Sequence, residues 1–310
     1  MRGMIFNLVN LLLILIISLS SCAPISRRRS LENTSKVRMS PVFSPIKKKV
    51  ALLPLFNESL LGGEDLAVTA TEELRKELFK AREFIIDNEA ANLFGSSKEV
   101  YSGGGVKLSQ LARKAKLSGV NIVILGRIKE AKVRQKSDEV GIVRKVNSYA
   151  QSNIELRVFD VMANKEILSA SQDGNITDGN LRFYQSDSEE NLSYRQDLLR
   201  YSVRVAMRKF IPQILSIGSK LDWMGRVAKI IGTKIYINAG RSSGVNVGDI
   251  LKVITEGEEI FDPESGALIG LSQGQVKGTL EVIDYVADDG AVCILHSGGS
   301  VTEGDFIQLY

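Results

Sequence analysis

The side chains in this chain best suited to covalent or acid–base chemistry are two cysteines and one histidine. Cys293 and His296 lie three residues apart, and Ser297, Gly298 and Gly299 follow. An imidazole-activated nucleophile needs such groups within hydrogen-bond reach, with a third group orienting the imidazole. Any triad here has to use His296, the sole histidine. Its surroundings argue against one. Cys293 sits in the apolar, strand-like run Ala291-Val292-Cys293-Ile294-Leu295, which marks an inert core thiol, and His296 reads as a surface-loop residue. A second candidate is Gly103-Gly104-Gly105-Val106-Lys107-Leu108-Ser109, read as the end of a loop over 95–105. Glycine amides ahead of a helix attract phosphate, but the G-x-x-x-x-G-K-[ST] order is missing. No Cys/His set has zinc spacing. Carboxylates are plentiful, which leaves a paired-carboxylate site open. The expectation is a protein that is not an enzyme, with no catalytic, cofactor-binding or metal residues.

The other thiol, Cys22, has a different setting. Arg2 supplies a basic start, an uncharged apolar run reaches from Leu11 to Ile17, and Ser18, Ser20 and Ser21 precede the cysteine. Basic, apolar, then small is the layout of a secretory signal peptide, here 1–21. The apolar part is shorter than the roughly 20 residues a spanning helix needs. Leu19-Ser20-Ser21-Cys22 resembles the lipobox of bacterial lipoproteins. That resemblance implies cleavage before Cys22, a diacylglyceryl group on its sulfur and an acyl chain such as palmitate on the new amine. Three acyl chains, at about 0.8 kcal/mol per buried CH₂, make a lasting anchor. Ala23 rather than Asp follows, which resembles cargo sent to the outer membrane. The covalent lipid is the only prosthetic group expected.

Composition sets outer bounds. A chain of 310 residues has room for one to three domains. Its formal charge of +4 becomes +3 once Arg2 leaves with the leader, too balanced to imply a nucleic-acid partner. With Cys22 lipidated, Cys293 has no disulfide partner within one chain. Residues 22–48 read as a lipidated, basic, flexible tether. Arg27, Arg28, Arg29, Lys36, Arg38, Lys47 and Lys48 lie there against the single acid Glu32. Each base near an anionic headgroup surface contributes about 1 kcal/mol; a solvated linker is the plainer alternative.

From 49 to 217 the pattern predicts an α+β domain, a mixed sheet with packed helices. Val50 to Phe56 is a buried strand, and Leu66, Ala70, Leu74 and Leu78 mark a helix. Phe84 to Asp87 is a short strand, Asn88 caps a short helix, and Leu108 to Ala115 marks another helix that stops at Gly119. Val120 to Gly126 is a second buried strand. Strand alternation at 154–159 returns at 167–171 after a turn, and a long helix covers about 192–215. From 222 to 310, apolar runs at 225–231, 234–237, 250–254, 278–283, 291–295 and 306–309 alternate with Gly and Asp turns, as in a small β-barrel. Gly244-Val245-Asn246-Val247-Gly248-Asp249 and Ser300-Val301-Thr302-Glu303-Gly304-Asp305 are similar, and each Asp is expected to cap its turn.

On Lys49-Val50-Ala51-Leu52-Leu53-Pro54-Leu55-Phe56-Asn57, Ile122-Val123-Ile124-Leu125-Gly126, Leu156-Arg157-Val158-Phe159-Asp160 and the last helix, residues 49–215 resemble the curli secretion lipoprotein family (CsgG) and the N-terminal domain of TolB. Ile235 to Gly240, Gly244 to Asp249, Asp262-Pro263-Glu264-Ser265-Gly266 and Gly278 to Val282 resemble the last domain of the flagellar outer-ring protein FlgT. The resemblance implies a lipid-anchored outer-membrane protein facing the periplasm, with a role in curli-type assembly or secretion. It implies an envelope protein partner and a homo-oligomer. Alternatives are a scaffold of the flagellar outer ring or a lipoprotein activator of a peptidoglycan synthase. The family forms pores from membrane hairpins. Lys129–Ala150 and Asp173–Tyr194 are the segments to ask, and Arg144, Ser148 and the polar stretch 186–191 interrupt their apolar faces.

Overall fold

The computed structural model of the protein describes residues 46–138, 145–177 and 192–310, except 267 and 273. The signal peptide, Cys22 and nearly all of the tether lie outside these residues, as do 139–144 and 178–191 of the two hairpin segments.

The first apolar run forms β1 (Lys48–Leu52) and β2 (Phe56–Asn57), with Pro54 between them. Proline cannot donate to a ladder. The amide of Leu55, next in the chain, instead donates to the Thr71 hydroxyl at 3.0 Å. Thr71 stands on α1 (Gly63–Ala81), whose Leu66, Ala70, Leu74 and Leu78 are buried at the four-residue spacing of one helix face. After β3 (Phe84–Ile86) comes α2 (Asn88–Phe94), capped by Asp87 rather than Asn88. The Asp87 carboxylate accepts from the Ala90 amide at 2.9 Å.

The run from 97 to 118 departs from expectation. It is one helix, α3 (Ser97–Ser118), which passes straight through Gly103, Gly104 and Gly105. Each glycine costs about 1 kcal/mol there relative to alanine. Burial of Val100, Leu111, Ala112 and Ala115 on either side compensates by holding both ends of the helix in place. Gly119, in the left-handed region, closes it.

Two long hairpin strands follow, β4 (Ile122–Asp138) and β5 (Lys145–Asp160), and then β6 (Lys165–Thr177). The sheet is mixed and six-stranded, in the order β3-β1-β4-β5-β6, with β2 on β4. β1 runs parallel to β3 and β4, whereas β4, β5 and β6 are antiparallel. One face carries α1 and α4 (Leu192–Gly218), with Leu198, Val203, Met207 and Phe210 fully buried against Ile124, Ile154 and Leu156. The other face carries α2 and α3 over Ala51, Leu53, Val123, Leu125 and Phe159.

In the described part of the first membrane-hairpin candidate, Ala131 and Ala150 belong to the core shared with α4. At these residues the hairpin is covered by protein rather than open to lipid. Among the described residues no helix is long and apolar enough to cross a membrane.

All six apolar runs of the C-terminal segment are strands. β7 (Gly225–Ile231), β8 (Lys234–Ile237), β9 (Ile250–Ile254), β12 (Val276–Val286), β13 (Gly290–Gly298) and β14 (Phe306–Leu309) close a barrel in the order β12-β13-β8-β7-β14-β9. A further hairpin, β10 (Glu259–Phe261) with β11 (Leu268–Leu271), stands outside it. The two similar turns are alike in detail. The Asn246 amide donates to Asp249 and the Thr302 amide to Asp305, both at 2.7 Å. Gly248 and Gly304 take φ of 92° and 93°, which glycine adopts without strain.

Candidate functional site

The residues singled out for chemistry do not converge. Cys293 is fully buried in the barrel core. Burial pushes its thiol up to about 12, so no thiolate is available near neutrality. Iodoacetamide at pH 8 is therefore expected to leave Cys293 unmodified in the native protein and to alkylate it fully in urea, as read by mass. Fast native labelling would mean that the barrel opens. His296 lies on β13 rather than in a loop, and its imidazole is exposed, 4.0 Å from Glu281. Ser297 shares a 2.8 Å hydrogen bond with Thr279. The glycine triplet, inside α3, presents no helix N-terminus to an anion. Among the described residues no three His, Cys, Asp or Glu side chains group around one point.

Among the described residues, one polar cluster has no signal in the local sequence. Tyr101, on α3, lies against the sheet with the Arg127 guanidinium 4.8 Å and the Arg157 guanidinium 5.4 Å from its ring centroid. Phe56 meets it edge-on at 5.5 Å. Arg127 reaches Glu155 and Glu58, Lys129 reaches Glu155 at 2.9 Å, and Arg157 pairs with Glu166. Burial and the neighbouring Glu155 hold the Tyr101 hydroxyl well above its ordinary range, so it stays a neutral donor. Burial alone would raise the Glu155 carboxyl, but hydrogen bonds from Lys129 and Arg127 outweigh it and hold the group below the usual range. With its charges matched, the cluster pins α3 to β4 and β5. Its members span Phe56 to Glu166, too far apart in the chain for any local motif.

A second polar set joins the sheet to the barrel. Buried Asn121 accepts from the Lys49 amide and donates to the Met224 carbonyl, each at 2.8 Å. Lys49 meets Asp289 at 2.8 Å and donates to the Asn238 carbonyl at 2.6 Å. Arg226 donates to the Leu117 carbonyl at 2.6 Å, at the C-terminal end of α3, where a cation is favoured. Beside it, Arg113, Lys116, Glu256, Glu303 and Asp305 line an open groove of about 450 Å³, in which Lys116 and Glu256 pair at 2.8 Å. Trp223 is buried in the barrel cluster next to Ile46. Inside the barrel wall, Lys277 and Asp305 form a largely buried pair at 2.7 Å. These contacts fix relative orientation.

No family model matches the chain, and no curated protein matches it. Solved structures similar to it include a hypothetical protein of Chlamydia trachomatis, 17% identical over 56% of this chain and 98% of that one, with a TM-score of 0.36. A lipoprotein of Neisseria meningitidis is 14% identical over 55% of this chain and 99% of that one, with a TM-score of 0.29. The C-terminal domain of LpoB from Salmonella enterica is 15% identical over 46% of this chain and 90% of that one, with a TM-score of 0.26. Bacterial lipoproteins are thus among the proteins whose solved structures resemble it in part.

Proposed function

We propose that this protein is an outer-membrane-anchored lipoprotein facing the periplasm, and that it acts without catalysis as an assembly or secretion component of the curli-transport type. The observation that carries the reading is Leu19-Ser20-Ser21-Cys22 directly behind the apolar run Leu11–Ile17. A diacylated and N-acylated Cys22 would hold the folded part at a membrane surface within reach of its tether. Two further features support a scaffold. The polar clusters are internally paired, as at Tyr101 and Lys49. The barrel also exposes apolar side chains such as Ile231 and Leu309, and the reading includes an envelope protein partner and a homo-oligomer.

Intact mass measurement of the protein taken from native membranes tests the reading. The expected product starts at Cys22 and carries a diacylglyceryl group and one amide-linked acyl chain. A free thiol at position 22, or a start elsewhere, overturns it. Pull-down from the same envelopes separates the roles. Self-subunits with exported or appendage proteins fit assembly, whereas a peptidoglycan synthase would make the protein a regulator.

A further inference from the structure

Two apolar tips stand at opposite ends of α1. Near its N-terminus, in the loop after β2, Leu60 is fully exposed and Leu61 is exposed beside it. The Asn57 side chain fixes that loop, donating to the Leu61 carbonyl at 2.8 Å and to the Gly63 carbonyl at 2.9 Å. In the last turn of α1, Phe79 is 77% exposed. The 19 residues of the helix put its ends about 28 Å apart. The charge around each tip decides which surface suits it.

Around Leu60 the charge is acidic. Glu58, Glu64 and Asp65 lie there in the chain, and Arg127 and Arg200 are taken by Glu58 and Asp65. Around Phe79 it is basic. Arg82 follows α1 in the left-handed conformation, its amide on the Phe79 carbonyl at 3.4 Å. The Glu83 carbonyl accepts from the Lys48 amide at 3.2 Å, which brings Lys47 and Lys48 to the same end. α4 also ends there: a Cβ on Gly218 would strike the Phe84 ring, and Lys220 follows two residues later. Arg82 and Lys220 are exposed and Lys47 is partly exposed. Among the described residues none of these three has a carboxylate partner. The acids at this end are engaged within the molecule. Glu77 pairs with Lys80 at 2.7 Å, and Glu83 and Asp222 act on the charge of Lys48. The adjoining barrel loops add one charge of each sign, Arg241 and Asp288.

The tether joins the fold at this same end. Ile46 is buried in the barrel cluster, and the Lys47 amide donates to the Ser243 carbonyl at 2.8 Å. The 24 residues from Cys22 to Ile46 reach at most about 85 Å, so a lipid on Cys22 leaves the Phe79 end able to meet the bilayer. We propose that this end of the folded part docks on the membrane that holds the anchor, with Phe79 in the interfacial layer and Lys47, Arg82 and Lys220 on anionic phospholipid headgroups. The contact is weak alone and is screened by salt; the anchor makes it effective by keeping the surface within reach. The acidic Leu60 end stays in water. This inference rests on the reading that Cys22 is lipidated.

The test uses the full-length lipidated protein in vesicles of phosphatidylethanolamine, with or without phosphatidylglycerol. An environment-sensitive NBD fluorophore is attached through Phe79→Cys, or through Leu60→Cys as the comparison. Lipid blocks Cys22, and Cys293 is buried. With phosphatidylglycerol present, the label at position 79 is expected to brighten and to be quenched by lipids spin-labelled near the headgroup, while the label at position 60 remains in water. High salt, or vesicles without phosphatidylglycerol, abolishes the difference. Arg82→Glu with Lys220→Glu lowers the docked-to-free ratio at least about tenfold. Arg82→Lys with Lys220→Arg retains it, which separates charge from damage to the fold. A label at 79 no more quenched than one at 60, or quenching at 79 that survives the charge reversal, overturns the docking. An acylated Cys22 with the label at 79 in water does the same and leaves the anchored reading standing. An unmodified Cys22, with the Cys22→Ser protein still quenched at 79 on added anionic vesicles, overturns that reading and upholds the docking.

Discussion

Replacing Cys22 with serine is expected to move the protein from the membrane pellet to the soluble fraction almost completely, on the reading that its lipid is the anchor. Each acyl chain contributes about 0.8 kcal/mol per CH₂ buried, so two or three chains make dissociation negligible, and their joint loss makes binding negligible. What remains is the basic tether, whose attraction to anionic headgroups is about 1 kcal/mol per base and is screened by salt. The variant should therefore wash off membranes at high salt while the native protein stays. Fractionation at low and high salt, followed by immunoblotting, checks this. Retention of the serine variant in the pellet at high salt would mean that a second element, such as a strand hairpin, holds the membrane. The folded part should be indifferent to the change, and its far-ultraviolet circular dichroism serves as the control.

The second large effect is a folding one. A Cβ built on Gly174 of β6 falls far inside van der Waals contact distance of the Ser202 carbonyl oxygen on α4. Helix and strand touch there backbone to backbone, with Ser152 and Ser202 fully buried at the contact. Gly174→Val forces α4 off the sheet, and α4 carries Leu198, Val203, Met207, Phe210 and Ile214 of the main core. Overpacking of this kind costs about 3 kcal/mol, more if the helix cannot slide, which lowers the melting temperature by roughly 10 °C in a chain of this size. Gly299→Ala is the matched control, since a Cβ there meets nothing within 4 Å. Its change should stay within about 0.5 kcal/mol. Thermal unfolding followed by circular dichroism separates the two; equal melting temperatures would mean that α4 does not pack on β6 as described.

Tests of this kind bear on residues that differ greatly in how readable they were. The six barrel strands show in the chain as short apolar runs cut by Gly and Asp turns, because strand length and turn chemistry are local. The two capping aspartates, Asp249 and Asp305, were readable for the same reason. The β10–β11 hairpin was not, since Ile260 and Phe261 lie between acids and face water, so no burial pattern announces them. The helix through Gly103–Gly105 reads locally as a loop, because three glycines favour the unfolded backbone. What overrides them is contact with the sheet, made through Val100, Leu111 and Ala115. His296 reads locally as a loop residue because the end of β13, with four exposed residues, carries no apolar alternation.

By itself the amino-acid order determined the class of the fold: an α+β portion with a mixed sheet, and then a small β-barrel. Hydrophobic period, caps and turns are properties of a few neighbouring residues, and they survive without knowledge of the whole. Tertiary structure alone decided which strands pair, that α4 meets β6 at Gly174, and that Arg127 and Arg157 both lie against the Tyr101 ring. It also decided that Cys293, His296 and Ser297 take separate environments. Each of these depends on chain segments tens of residues apart being brought together, and the burial free energy that does so belongs to the completed core rather than to any stretch of it.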